Sequence, residues 1–360
     1  MEHKVEVRIS ERHYTIRIGE GLFEALPVLL PEQHPGKKLA IVCETRVAGL
    51  MGRRLASALR LRGCDAFLVE FPEGEANKTL HTLSGIYSAL AGHYFTRSDV
   101  IVAVGGGVTG DMAGLAAATF LRGTGFVQVP TTLLAMVDSS IGGKVAVDLP
   151  AGKNLVGAFY QPQAVYTDPA LLDTLPDRQF ANGMAELLKH GFLFDGTLIE
   201  RIRAHQGRTG LRPHMAAFIA ESCRLKRLVV EQDERDEGPR QLLNFGHTLG
   251  HALEKVTGFS DLAHGEAIAI GMTVFTRMSE AMGWSDPGTA DAVESVLACH
   301  DLPTDFPDID PDPVLDAMSV DKKARSGLIT IVTLDRIGIS RLRTLPIPEL
   351  KEKLHGRLHR

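Results

Sequence analysis

The chain has 360 residues, enough for two domains with separate cores, and its 44% hydrophobic and 23% charged residues exclude an extensively disordered protein. A formal net charge of −5 gives no general attraction to nucleic acid or to an anionic membrane, so a small molecule is the expected partner. Cys43, Cys64, Cys223 and Cys299 stand far apart with no Cys-x-x-Cys pair, which argues against a thiolate metal site or a disulfide framework and fits a cytoplasmic setting.

In chain order, VEVRI and YTIRI alternate with period two around the polar SERH, which predicts an initial hairpin. LAIVC, AFLVEF, VIVAVG, FVQVP and AVYTD then take turns with helix-length segments, which predicts a Rossmann-like α/β domain over residues 1–177 with a mainly parallel sheet covered on both faces. Long helical periodicities follow: MAELLKHGFLF, HMAAFIAESCRLKRLVVEQ, LLNFGHTLGHALEKV, GEAIAIGMTVFTRMSEAM and TADAVESVLACH. They predict an all-α C-terminal domain over residues 178–360, to which LITIVTLDRIG adds a strand or two.

VIVAVGGGVTGDMAGLAAATF runs from an apolar strand through Gly105, Gly106 and Gly107 into a helix starting near Val108. Glycines there let backbone N–H groups approach a phosphate at a helix N-terminus, and a pyrophosphate is the natural guest. Gly105, Gly107 and Gly110 satisfy G-x-G-x-x-G, but the next strand ends in VQVPTT and lacks the usual acidic ribose partner. Asp111, one turn into the helix, could face a nicotinamide ribose. The following PTTLLAMVDSSIGGKVAVDLPAGKNLVGAFYQP crowds Asp138, Ser139, Lys144, Lys153 and Asn154 into a short span, which suits a polyhydroxylated phosphate ester.

On one continuous helix, Arg240, Asn244, His247 and His251 would form a single polar stripe, and Gly246 and Gly250 a second, inviting close approach by another backbone or a ligand. MAELLKHG adds Glu186 and Lys189, and LAHGEAIAIGM adds His264. Two histidines and one carboxylate make an open site for zinc. Periodicity cannot assign His247 and His251 separately, because both point the same way.

VGGGVTGDMAGLAAATFLRGTGFVQVPTTLLAMVDSSIGGK, GKNLVGAFYQP, GMAELLKHG, LLNFGHTLGHALE and HGEAIAIGM closely resemble the 3-dehydroquinate synthase family of sugar phosphate cyclases, over roughly residues 35 to 340. The resemblance implies an NAD-binding α/β domain followed by a helical metal-binding domain. It implies zinc or cobalt on Glu186, His247 and His264, with His251 handling protons on the substrate side. Asp138, Lys144, Asn154 and Lys189 would join His251 in catalysis. Arg122, Lys226, Arg240, Asn244 and one lysine of the DKK segment, Lys323 in preference to Lys322, would bind substrate. For NAD the matching positions are Glu75, Lys78, Gly105, Gly106, Gly107, Val108, Asp111, Thr131, Thr132, Ser139, Lys144 and Lys153. Glu44 and Arg46 depart from an Asp and an Asn common in the family, with Glu44 still able to accept from ribose hydroxyls. Val145 and Asp148 are further departures.

The implied reaction converts 3-deoxy-D-arabino-heptulosonate 7-phosphate to 3-dehydroquinate and phosphate with NAD regenerated each turnover, in a cytoplasmic homodimer. Another NAD- and metal-dependent sugar phosphate cyclase, a polyol dehydrogenase making net NADH, and a non-catalytic nucleotide-binding protein are the rival readings.

Overall fold

The computed structural model describes residues 2–9, 12–258, 262–320 and 327–355. The chain separates into two compact units, Met1–Leu175 and Pro176–Arg360.

The first unit opens with β1 (His3–Ile9) and β2 (Arg12–Ile18), the antiparallel hairpin that the period-two pattern predicts. It continues through α1 (Leu22–Gln33), β3 (Leu39–Glu44), the short α2 (Thr45–Val47), α3 (Arg53–Leu61), β4 (Ala66–Phe71), α4 (Leu80–Gly92), β5 (Val100–Gly105), α5 (Gly107–Thr119) and β6 (Gly125–Pro130). Two further strands, β7 (Lys144–Leu149) and β8 (Gly152–Phe159), precede β9 (Ala164–Thr167). Seven strands form one sheet in the order β1-β2-β9-β6-β5-β3-β4, parallel except for the β1–β2 pair.

The strands read as unbroken apolar runs because both faces of the sheet are covered. Alternate residues point to opposite sides. Leu39, Ile41 and Cys43 join Phe23, Leu26 and Leu30 of α1 and Leu55 and Leu59 of α3 in one core layer, whereas Ala40 and Val42 join Leu83 and Ile86 of α4 and Met112 and Ala116 of α5 in the other. After β4 the chain returns to place β5 on the other side of β3, so the sheet has its topological switch between β3 and β5. Ligands of open α/β sheets bind beyond the carboxyl ends of the strands at such a point.

β7 and β8 form a separate antiparallel ribbon that the sequence pattern does not announce. Its anchor is Val145, a buried residue against α5, where Gly114 leaves room. A Cβ at Gly114 would overlap Val145 Cγ1 and lie 3.0 Å from Phe126 Cζ.

The second unit comprises α6 (Asp177–Phe194), α7 (Gly196–Arg203), α8 (Gly207–Leu211), α9 (Met215–Gln232), α10 (His247–Val256), α11 (His264–Ala281), α12 (Thr289–Ala298) and α13 (Pro311–Val320). The antiparallel pair β10 (Leu328–Arg336) and β11 (Ile339–Pro346) and then α14 (Ile347–His355) complete it. Among the described residues the unit is therefore helical apart from one hairpin, at the place where LITIVTLDRIG is read as strand. No helix among the described residues is long and apolar enough to cross a membrane.

The packing around Gly114 generates a prediction with a sign change. Alanine is favoured over glycine in a helix by about 1 kcal/mol, but overpacking a filled core costs about 1–3 kcal/mol. Gly114→Ala is expected to destabilise the chain in urea melts, and the same substitution made on Val145→Ala is expected to be neutral or stabilising. Equal effects in both backgrounds would contradict the packing account.

Candidate metal centre and nucleotide-binding loop

The metal-ligand candidates come from three helices of the second unit. Glu186 lies in mid-α6 with no exposed surface, His247 is the first residue of α10, and His264 is the first residue of α11. Glycines let these helices meet. Gly246 takes a left-handed conformation, φ 78°, and a Cβ there would collide with the Ile268 carbonyl of α11 and lie 2.7 Å from Met272 Cγ. A Cβ at Gly250 would lie 3.1 Å from the Ile268 nitrogen, and one at Gly265 would overlap Asn182 of α6. The close approach expected at Gly246 and Gly250 is thus an approach by another backbone.

That same glycine corrects the single-stripe expectation. Arg240 and Asn244 lie on a separate 3₁₀ turn, Pro239–Asn244, and the chain breaks at Phe245 and Gly246 before α10 begins. A left-handed residue cannot continue a right-handed helix, so Arg240 and Asn244 do not extend the face that carries His247 and His251. Gly246 consequently sits at a helix N-cap, where the interior-glycine penalty does not apply.

Glu186, His247 and His264 offer ligand atoms all within 4.8 Å of one another. The two Nε2 atoms lie 3.3 Å (His247) and 3.4 Å (His264) from Glu186 Oε1. Ligands about 2.0–2.1 Å from a tetrahedral zinc stand about 3.3 Å apart, so the spacing matches a metal's first shell. Neither Glu186 oxygen has a partner in hydrogen-bond geometry, although Lys189 Nζ approaches Oε2 to 2.5 Å. A buried carboxylate is stable only beside cationic charge. The residues present therefore fit a divalent ion.

The outer nitrogens are also engaged. His247 Nδ1 lies 3.1 Å from the Phe245 carbonyl oxygen and His264 Nδ1 lies 3.4 Å from Glu254 Oε2, which leaves each Nε2 to face Glu186. Glu254 is buried in α10. The sequence reasoning passes over it, although it stands seven residues after His247 on the same helical face. Carboxylates behind metal-bound imidazoles fix tautomer and ring orientation. His251 is exposed and belongs to a second cluster with Glu254 and His264, not to the group containing Glu186.

The charges follow from this packing. Burial alone would raise Glu186, but Lys189 and the two histidines hold it well below the usual carboxylate range. Burial and the Lys189 ammonium push His247 down. Burial would also lower His264, yet its contacts with Glu186 and Glu254 outweigh that and bring it up to about 9.

Other substrate-side candidates of this unit are buried. Lys189, Lys226 and Arg240 are at most 5% exposed. Arg240 Nη1 donates to the Glu234 carbonyl at 2.6 Å, and Asp233 accepts its backbone N–H. Asn244 Nδ2 is buried without a hydrogen-bond partner among the described residues. Lys322 and Lys323 lie outside the described residues.

In the first unit the glycine loop sits at the switch point. None of Gly105, Gly106 and Gly107 has positive φ, so their requirement is space: a Cβ at Gly105 would overlap Thr109, one at Gly106 would lie 3.1 Å from Thr132 Cγ2, and one at Gly107 3.3 Å from Ser139 Oγ. Thr131 N–H donates to the Gly105 carbonyl at 2.9 Å, and α5 starts at Gly107, one residue before the expected Val108. Glu44 ends β3, the strand beside β5, where burial and nearby Glu73 raise its pKa.

Lys78 is buried, with Nζ 2.7 Å from Asp111 Oδ2, 3.7 Å from Glu75 Oε1 and 2.5 Å from Asn154 Oδ1. Burial pushes the Asp111 carboxyl up to about 6, against the opposing pull of Lys78. Arg122 is exposed and left-handed, φ 66°, in the loop after α5. Lys144 opens β7, Lys153 lies on β8, and Asp138 precedes Ser139 in the short helical turn Ala135–Ser139 after β6.

A glycine-lined turn at the switch of one unit and a carboxylate with two imidazoles in the other are the parts of a metal- and nucleotide-dependent enzyme. Family models agree, one described as 3-dehydroquinate synthase N-terminal over residues 68–182 and one as 3-dehydroquinate synthase C-terminal over residues 183–324. The chain belongs to the 3-dehydroquinate synthase family. It is 43% identical over 336 residues to a 3-dehydroquinate synthase of Clostridium beijerinckii, covering 93% of this chain and 96% of the relative. With that of Nitrosomonas europaea it is 43% identical over 348 residues, covering 96% and 94%. Among solved structures, 2-deoxy-scyllo-inosose synthase complexed with carbaglucose-6-phosphate, NAD+ and Co2+ superposes with a TM-score of 0.88 at 26% identity, over 98% of this chain and 100% of that one. ValA, the 2-epi-5-epi-valiolone synthase of Streptomyces hygroscopicus subsp. jinggangensis with NAD+ and Zn2+ bound, gives 0.87 at 26% identity over 97% and 98%.

Glu254→Ala is expected to weaken zinc binding by about 10- to 100-fold in chelator competition, with helical content kept; unchanged affinity would remove Glu254 from the ion's support. In metal-free protein His264 holds a proton below about pH 9, so zinc must displace it. Zinc affinity should therefore climb with pH, by up to about tenfold per unit between about pH 6 and 8.5, and a flat profile would contradict the assigned charge.

Proposed function

We propose that the chain is a 3-dehydroquinate synthase, a phosphate-eliminating carbon–oxygen lyase that converts 3-deoxy-D-arabino-heptulosonate 7-phosphate to 3-dehydroquinate and inorganic phosphate with no net redox change. The observation that carries this reading is the Glu186, His247 and His264 cluster with Nε2–Oε1 spacings of 3.3 and 3.4 Å, in a chain of that family.

Glu186, His247 and His264 would hold a divalent zinc or cobalt ion, and the Gly105–Gly107 turn, Glu44, Glu75, Lys78, Val108, Asp111, Thr131, Thr132, Ser139, Lys144 and Lys153 would hold NAD. When bound, the ion supplies Lewis acidity toward adjacent substrate hydroxyls and NAD a reversible hydride acceptor. The planar fork of Arg240 suits the substrate carboxylate, and Asn244 Nδ2, without a hydrogen-bond partner among the described residues, supplies a further donor. Lys144, Asn154, Arg122 and a lysine of the DKK segment, for which we favour Lys323, would bind the phosphate with charge-assisted hydrogen bonds. Lys189 and Lys226 would hold hydroxyls, Asp138 would orient them, and the exposed His251 would exchange protons with the substrate. The widely spaced cysteines support placing the enzyme in the cytoplasm, and family resemblance supports a homodimer.

The relatives named 3-dehydroquinate synthase are about 40% identical to this chain, the cyclases of other sugar phosphates 26%. That difference favours the carboxylate-bearing substrate. The test is phosphate release from the heptulosonate phosphate with catalytic NAD, abolished by a chelator and restored by zinc or cobalt; stoichiometric NADH accumulation or no release would refute the reading. In purified variants, His247→Ala is expected to lose both metal and turnover, whereas His251→Ala keeps the metal and lowers kcat by about 10²- to 10⁴-fold. Metal loss from both variants would overturn the assignment of the two histidines.

A further inference from the structure

Asp148 is a departure from the family pattern that the proposed mechanism does not use. It sits where the β7–β8 ribbon changes register, between the pairs Val147↔Val156 and Leu149↔Gly152. Bulged positions re-aim side chains, and here the effect falls on Asn154. Asn154 has φ 55°, a conformation that asparagine tolerates but that costs energy outside glycine. Its backbone N–H donates to Asp148 Oδ1 at 2.7 Å.

Three residues close a ring. Asp148 N–H donates to the Lys78 carbonyl at 2.8 Å, the Asp148 carboxylate accepts from Asn154 N–H, and Lys78 Nζ donates to Asn154 Oδ1 at 2.5 Å. The last bond fixes the direction of the amide. An ammonium can only donate, so the Asn154 oxygen must face Lys78, and its NH₂ group points the other way, from an exposed residue. Two donors held outward from a rigid turn match a phosphate oxygen.

We propose that Asp148 is a positioning residue: its carboxylate holds Asn154 left-handed, so that Lys78 turns the amide and presents the Asn154 NH₂ to the phosphate end of the ligand. Lys78 also pairs with Asp111, so the same ammonium braces the anion donor and the nucleotide-side carboxylate. The proposal rests on the dehydroquinate synthase reading only in naming phosphate as the anion.

The test is a double-mutant cycle on protein loaded with zinc and NAD, read by calorimetric titration with inorganic phosphate and, separately, by the KM for the heptulosonate phosphate. Asp148→Ala should weaken phosphate about tenfold, the scale of one misplaced charge-assisted hydrogen bond. NAD affinity should stay within about threefold. Asp148→Asn, which keeps an oxygen acceptor for the Asn154 N–H, should stay within about threefold of wild type. Asn154→Gly adopts positive φ freely and lacks the amide, so on that background Asp148→Ala should add less than about twofold. Should Asp148→Ala fail to fold, Asn154→Asp decides: it keeps the acceptor for Lys78, loses both donors, and should weaken phosphate by more than about tenfold while NAD still binds. A full Asp148→Ala effect on Asn154→Gly, equal damage from Asp148→Asn and Asp148→Ala, unchanged phosphate affinity in Asn154→Asp, or no phosphate uptake by the wild type would overturn the proposal. If the cycle holds in titration but no phosphate is released from the heptulosonate phosphate, the functional reading falls and the positioning role stands.

Discussion

Glu186 is a carboxylate with no exposed surface and no hydrogen bond to either oxygen, and the helical unit is organised around that constraint. An ionised carboxylate in such a place needs compensating charge within a few ångströms. Lys189, one turn further along α6, supplies part of it at 2.5 Å. The imidazoles of His247 and His264 reach the other oxygen from two different helices. They get there because Gly246, Gly250 and Gly265 remove the side chains that would otherwise hold α10, α11 and α6 apart. A Cβ at Gly271 would likewise overlap the Gly246 backbone. Backbone packing thus brings the ligands together, and the ligand geometry in turn gives the glycines their reason.

The central strands were legible in the sequence because continuous apolar runs have few other uses, and the glycine turn because three glycines between strand and helix are costly without a reason. Glu186, His247 and His264 could be proposed together, but their grouping required three-dimensional packing, and the resemblance rather than spacing separated His247 from His251. The single polar stripe through Arg240 and Asn244 failed on Gly246, whose φ of 78° cannot be read from a periodic pattern that passes straight through it. The β7–β8 ribbon was hidden for a different reason. Val145, Ala146 and Val147 are buried in succession while β8 exposes much of its length, so neither strand shows simple alternation. Glu254 was invisible because a glutamate on a helix is ordinarily a solvated one, and only burial against His264 distinguishes it.

Glu44 illustrates how strand order changes the meaning of a motif. The usual fingerprint looks for its acidic residue at the end of the strand that follows the glycine turn. In this sheet β5 lies between β3 and β6, and the carboxylate is carried by the earlier strand. Glu44 therefore stands at the end of the strand that flanks β5 on the side away from β6. Burial raises the Glu44 pKa, because the carboxylate loses hydration there and its charged form is disfavoured.

Both candidate sites fix the direction of hydrogen bonds by using partners that have no choice. The Phe245 carbonyl can only accept, so Nδ1 of His247 must carry the proton and its Nε2 keeps a lone pair for the ion; Glu254 Oε2 likewise holds Nδ1 of His264, whose Nε2 is freed when the ion displaces its proton. Lys78 can only donate, so the Asn154 amide must turn its oxygen inward. An imidazole or an amide left to itself can rotate or tautomerise at little cost, and a ligand would then have to select the productive form. Partners with one available role remove that selection before binding. The residues that do this need not touch the reacting groups, which is why spacing patterns built from ligand chemistry miss Glu254 and Asp148 while finding every group they hold.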